Sequence, residues 1–183
     1  MTDLTLPIGN RDHIQGDFDA PLTLVEYGDY QCPHCGAAYP IIKAVQANFG
    51  KRLRFVFRNF PLTSVHPYAE VAAEAAEASD RQKKFWEMHD YLFENQNDLS
   101  EGLFLESARA LNLDEKKFLA DLAERHFKER VKEDFMSGVK SGVNGTPGFF
   151  INGMRYLGPW DRNTLTEVLN SIDEQPELIQ PLL

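Results

Sequence analysis

Leu22-Thr23-Leu24-Val25-Glu26-Tyr27-Gly28-Asp29-Tyr30-Gln31-Cys32-Pro33-His34-Cys35 places two structural signals side by side. Asp19-Ala20-Pro21 ahead of it is turn chemistry, and Leu22–Tyr27 reads as a strand. Pro33 suits the first turn of a helix, whose apolar side is drawn by Tyr39, Ile41, Ile42, Val45 and Phe49 before Gly50 stops it. Leu53-Arg54-Phe55-Val56-Phe57-Arg58, aromatic and β-branched with no breaker, is the next strand. Residues 15–58 therefore read strand, helix, strand, with two cysteines where the first strand hands over to the helix.

Beyond residue 68 the pattern changes. Apolar residues recur at spacings of three and four through 69–79, 82–95, 101–111, 114–126 and 128–141, the mark of helices burying one face. Gly142, Gly145 and Pro147 end this run. Phe149-Phe150-Ile151 and Arg155-Tyr156-Leu157 then flank Asn152-Gly153, a dipeptide favoured in two-residue hairpins. Asp161 is placed to cap a last helix containing Leu165, Val168, Leu169 and Ile172. The order predicts a mixed sheet interrupted by an all-helical insertion. The expected divisions are 1–62 (irregular arm, strand, cysteine helix, strand), 63–143 (helical insertion) and 144–183 (Thr-Pro loop, hairpin, last helix).

Composition narrows the function. The 183 residues carry a net charge of −9, which argues against a broad basic face for nucleic acid or anionic lipid. That length suits one domain, with or without a large insertion, and a core that needs no staples, and the 43% hydrophobic content lies in the globular range. Two cysteines exclude a disulfide scaffold. No apolar stretch approaches the ~18 residues of a membrane span, and the acidic start, Met1 to Gly9, lacks the basic and apolar regions of a secretory signal. The expected location is cytoplasmic, or periplasmic or secreted if Met1 follows a removed leader.

The spacing of Cys32 and Cys35 allows their sulfurs to bond or separate with little backbone movement. Cys32 falls at the helix start, where unpaired amides and the helix dipole favour a thiolate, and Cys35 one turn inside. One nucleophile and one resolver is the arrangement that disulfide exchange requires. Three other readings stand beside it: ordinary buried thiols, a structural zinc site, and a cluster bridged between two chains. The zinc site lacks a second ligand pair, and no metal or cofactor is expected.

Cys32-Pro33-His34-Cys35 resembles the active-site motif of the DsbA-like thiol–disulfide oxidoreductases. Glu26, six residues before Cys32, falls where this family and thioredoxins carry a buried acid. Gly145-Thr146-Pro147, followed by Phe149–Gly153, is similar to the loop that bears the family's cis-proline and the hairpin after it. The helical block lies where the family inserts its own. The resemblance spans about residues 13–173 and implies an α/β, thioredoxin-like fold with a mixed central sheet and an all-helical insertion domain.

On that resemblance Cys32 is the nucleophile, Cys35 the resolver, His34 a tuning residue for the Cys32 sulfur, and Thr146 and Pro147 a cis loop presenting backbone to an extended substrate. Glu26 has two readings: a proton shuttle for Cys35, or a carboxylate that snorkels from, or caps, the strand's exposed end. Asp29 is assigned to the exposed loop surface, because a carboxylate near Cys32 opposes thiolate formation. His13, His66, His89 and His126 are read as surface or packing residues, and Trp86 and Trp160 as core or capping aromatics. The expected partners are protein or peptide thiols and disulfides and an unidentified redox partner, acting on a monomer or weak dimer. The alternatives are a glutathione-dependent transferase or isomerase of the kappa type, against which an intact Cys35 counts, and a non-catalytic binding or chaperone-like module. The sequence does not assign the tail Pro176–Leu183 to the body or to another chain.

Overall fold

A computed structural model describes residues 3–174, so the tail Pro176–Leu183 lies outside the described residues. The chain runs β1 (His13–Gln15), β2 (Leu22–Gly28), α1 (Pro33–Phe49), β3 (Leu53–Asn59), α2 (Ala69–Asp80), α3 (Phe85–Glu94), α4 (Glu101–Ala110), α5 (Glu115–Ala123), α6 (Lys128–Lys140), β4 (Gly148–Ile151), β5 (Met154–Tyr156) and α7 (Arg162–Glu174). It divides into two compact units. Of the described residues, one comprises 3–27, 37–58 and 137–174, and the other 28–36 and 59–136.

The first unit holds a mixed five-stranded sheet in the order β1-β3-β2-β4-β5. All seven residues of β2 are buried, as befits a central strand covered on both faces. Helix α1 supplies the crossover from β2 to its neighbour β3. Gly50 takes φ +53°, so the chain leaves α1 through a left-handed residue. β4 runs antiparallel to β2, with Glu26 opposite Phe149, and to β5, with Ile151 opposite Met154. Asn152 and Gly153 close the hairpin with φ +47° and +86°, the two positive values a type I′ turn requires. Asp161 Oδ1 accepts the backbone N–H groups of Asn163 and Thr164, each at 3.1 Å, and caps α7.

Two features of this unit go beyond the sequence pattern. β1 adds an edge strand, Ile14 pairing with Val56; its three residues are too few to show a period. Arg58 is fully buried at the end of β3. Its guanidinium donates to both carboxylate oxygens of Asp12 (2.7 and 3.0 Å), to the Leu6 and Pro7 carbonyls and to the Tyr27 hydroxyl. The irregular arm is thus tied to the sheet through one satisfied buried charge.

The second unit is helical, with α2 packed against α3 and α5, and α4 against α5. Alanine is the commonest residue on the buried side of α2, where Ala72, Ala75, Ala76 and Ala78 are wholly covered, so neighbouring helices can approach closely. Ser100 and Asp114 cap α4 and α5 by accepting the amides of Leu103 and Lys117. α3 begins at Phe85, not at residue 82 as the spacing suggests, because residues 81–83 form a turn in which Lys83 has φ +59°. At the end of β3, Asn59 enters this unit: its amide N–H donates to Asp134 and its side chain to Glu77. Burial and the nearby Glu77 push the Asp134 carboxyl up to about 6, against the pull of Arg130.

Candidate active site

The dithiol loop Gly28–Gly36 belongs to the helical unit, and its hydrogen bonds show why. Gly28 O accepts from the amide of Phe60 at 2.7 Å. The Tyr30 hydroxyl pairs with His89 Nδ1 at 3.1 Å, and its ring lies 4.9 Å from that of Phe93. Gln31 Oε1 accepts from the amide of Tyr68 at 2.7 Å. Gln96 Nε2 donates to the carbonyls of both Tyr30 and Cys32, each at 2.8 Å. Between β2 and α1, the carbonyls of Tyr30 and Cys32 are thus satisfied by a side chain up to 66 positions away.

Asp29 is the centre of this web, and its expected place on the exposed surface is corrected by the structure: it is 1% exposed. Its Oδ1 accepts the Gln31 amide at 2.8 Å, and its Oδ2 accepts the Leu62 amide at 2.9 Å. His66 Nδ1 completes the set, 2.7 Å from Oδ2. Three donors make burial of the carboxylate tolerable, which the sequence could not reveal because two of them lie more than 30 residues away.

The backbone of Asp29 addresses both cysteines. Its carbonyl accepts from Cys32 N at 3.1 Å, and its amide points at Cys35 Sγ, 3.5 Å away. Cys32 sits immediately before the first helical residue, Pro33, and Cys35 lies in the first turn. Both are buried, Cys32 being 4% exposed and Cys35 fully covered. Pro33 and His34 between them are exposed. The geometry therefore presents a two-residue rim above two sulfurs at a helix N-terminus, where backbone N–H groups and the helix dipole favour negative charge on sulfur. Gly36 follows without a side chain because a Cβ there would stand 2.1 Å from Gln96 Oε1.

The remaining expected site residues lie in the sheet unit. Glu26 is 3% exposed in the middle of the buried run of β2; the alternative of a carboxylate reaching solvent at an exposed strand end is overturned. The Thr146–Pro147 peptide bond is cis, and both residues are half-buried ahead of β4. Gly148 comes next, where a Cβ would meet Arg155 Nη1 at 2.7 Å. Burial pushes the Arg155 guanidinium down from its ordinary value. His89 and His13 are buried and His126 is exposed. Asp29, His66 and Gln96 escaped the sequence reading as site residues; their signal was spread over three distant segments. Among the described residues no group of three His, Cys, Asp or Glu side chains is placed to hold a metal ion, and no helix is long and apolar enough to cross a membrane.

A cysteine pair at the N-terminus of the helix that follows a central strand, with helices inserted between the strands and a cis Thr-Pro loop opening the hairpin, defines the thioredoxin-fold dithiol proteins. A family model described as Thioredoxin matches residues 9–171, and the chain belongs to that family. Among solved structures it is similar to oxidised BdbD of Bacillus subtilis (25% identity, TM-score 0.82, 93% of this chain and 97% of that one). The fold is shared with alpha-DsbA1 of Wolbachia pipientis (23%, TM-score 0.76, 92% and 93%) and with the catalytic domain of Proteus mirabilis ScsC (19%, TM-score 0.76, 89% of each). In sequence it is 45% identical over 172 residues to a protein of Salinispora arenicola named Na(+)/H(+) antiporter NhaA 1, covering 93% of this chain and 26% of that protein. A protein of Herminiimonas arsenicoxydans named Na(+)/H(+) antiporter NhaA is 41% identical over 160 residues, covering 87% and 25%. The chain thus spans about a quarter of the length of the curated relatives it matches.

Proposed function

We propose that the protein is a thiol–disulfide oxidoreductase that exchanges a Cys32–Cys35 dithiol with protein or peptide substrates. The observation that carries this reading is the dithiol itself, with Cys32 at the head of α1 and Cys35 Sγ facing the Asp29 amide, in a chain of the thioredoxin family. In the reducing direction the Cys32 thiolate attacks one sulfur of a substrate disulfide, forming a mixed disulfide and releasing one substrate thiolate. Cys35 loses its proton and attacks Cys32 Sγ. The second substrate thiolate leaves, the substrate is reduced and Cys32–Cys35 is oxidised. The reverse sequence inserts a disulfide.

In this reading His34 tunes the Cys32 sulfur from the exposed rim, Glu26 takes the proton of Cys35, and the cis Thr146-Pro147 loop offers backbone to an extended substrate. The direction is set by the reduction potential of the pair against its surroundings. A cytoplasmic location, proposed here together with the activity, favours reduction. Capture on the Cys35→Ser variant tests the mechanism: mixed disulfides through Cys32 should accumulate, and a variant that stays a free thiol in the presence of substrate disulfides counts against it. A monothiol, glutathione-dependent transferase predicts turnover that survives Cys35→Ser.

The relatives favour a second reading of the client. A domain like this one makes up about a quarter of proteins named for Na(+)/H(+) antiport, so a membrane transporter is a candidate substrate protein. Mixed-disulfide capture from a membrane fraction supports it if a transporter cysteine is recovered, and recovery of soluble clients alone opposes it.

A further inference from the structure

We infer that His66 and Asp29 form a charge-compensating pair that sets how readily the dithiol ionises, which makes both positioning residues for the exchange reaction. The inference rests on the oxidoreductase reading above and concerns the same site. Asp29 reaches both cysteines through its backbone, with its carbonyl on Cys32 N and its amide on Cys35 Sγ. Its carboxylate, 1% exposed, thus belongs to the residue whose backbone meets the Cys32 amide and the Cys35 sulfur. Two of its hydrogen bonds, from the amides of Gln31 and Leu62, are neutral and permanent. The third partner, His66 Nδ1 at 2.7 Å, is the only one of the three that changes charge. His66 is half-buried and so reachable from solvent, whereas Asp29 is 1% exposed.

The consequence follows from charge alone. With a second proton on His66 the pair is neutral, and the helix N-terminus acts on the sulfurs unopposed. Without it the pair carries a net −1 beside the dithiol and opposes a thiolate. The other titratable or charged side chains in residues 28–36 and 60–70 are Tyr30, Cys32, His34, Cys35, Tyr68 and Glu70. From other elements, His89 of α3 bonds the Tyr30 hydroxyl, Lys132 of α6 lines a pocket with Pro61, Thr63 and Glu70, Arg125 pairs with Glu70, and Glu26 of β2 is the proposed acceptor of the Cys35 proton. His34 and Glu70 contribute charge that the variants below leave unchanged. A carboxylate near Cys32 opposes a thiolate, and the structure sets beside it a histidine able to carry the opposite charge.

The test is the pH profile of Cys32 alkylation in the full reduced chain, with the reduction potential measured in parallel. His66→Gln keeps a neutral donor near Asp29 and removes the positive charge, so the alkylation midpoint should rise by about one pH unit and the pair become more reducing. Asp29→Asn removes the negative charge, so the midpoint should fall by a similar amount and the pair become more oxidising. Opposite signs are the signature, because loss of loop structure would move both variants the same way; shifts of equal sign, or superimposable profiles, overturn the inference. The unmodified protein supplies a second readout. By linkage, the His66 ring titration followed by NMR should differ between the dithiol and disulfide forms, and coincident titrations overturn the inference even if a variant fails to fold. If the midpoints split while Cys35→Ser captures no substrate, the electrostatic pair stands and the oxidoreductase reading fails.

Discussion

Replacing Gly36 by alanine tests whether the helical unit holds the dithiol loop through Gln96. The new Cβ would lie 2.1 Å from Gln96 Oε1 and 2.9 Å from its Cδ, so the Gln96 amide must swing away and release the carbonyls of Tyr30 and Cys32. Two net hydrogen bonds of about 0.5–1.5 kcal/mol each put that loss at about 1–3 kcal/mol. Alanine in place of glycine inside α1 returns about 0.5–1 kcal/mol through backbone entropy. Gly36→Ala should therefore destabilise the wild-type chain by a net of about 0–2.5 kcal/mol, centred at about 1 kcal/mol. In the Gln96→Ala background nothing remains to collide with, and the same substitution should stabilise by about 0.5–1 kcal/mol. Urea unfolding of the reduced wild type, both single variants and the double variant gives the coupling energy directly. A change of sign is the expected result. If Gly36→Ala costs the same in both backgrounds, with coupling below about 0.5 kcal/mol, the strap is not what requires glycine and the account of the loop is wrong. Alkylation of Cys32 on the same four proteins adds a functional readout, since loosening the Cys32 carbonyl should alter its rate in Gly36→Ala and Gln96→Ala alike.

Asp12→Ala leaves the fully buried Arg58 guanidinium without its counter-charge and should cost about 3–5 kcal/mol in the same unfolding assay. Asp134 titrates at about 6 in the folded chain, above its unfolded value of 3.8, so the folded state holds its proton over that window. Stability therefore falls as pH rises from about 4 to 6, by up to about 3 kcal/mol from this group. The difference between wild type and Asp134→Asn, which retains an acceptor for the Asn59 amide, should show that slope and be flat outside the window. Glu26→Gln should slow resolution of a mixed disulfide more than the initial attack by Cys32 in stopped-flow measurements. Equal slowing of both steps reduces Glu26 to a structural residue.

Local chemistry made much of the architecture legible. The strand before the cysteines, the helix opened by Pro33, the Asn152-Gly153 turn and the Asp161 cap all depend on groups a few residues apart, and all stand in the structure where their patterns placed them. The cysteine spacing was readable for the same reason, whereas Glu26 and the Thr146-Pro147 loop were singled out through the resemblance to the DsbA-like family. β1 was missed because three residues carry no period, and the start of α3 was misjudged because apolar spacing continues through a turn that Lys83 breaks.

The site's electrostatics lay beyond that reach, since burial is a property of the assembled core. Nothing in Tyr27-Gly28-Asp29-Tyr30 distinguishes a solvated aspartate from one enclosed with Leu62 N–H and His66 against it. Nothing in residues 94–98 marks Gln96 as the group that grips Cys32, 64 residues earlier. Arg58 was one more charged residue at a strand end until Asp12, 46 positions away, was found around it. The cysteines and the elements that carry them follow from short-range periodicity and turn chemistry. The charges that surround the sulfurs, and the straps that hold the loop, follow from long-range packing: a buried polar group is tolerated only where its partners converge, and that convergence exists only in three dimensions.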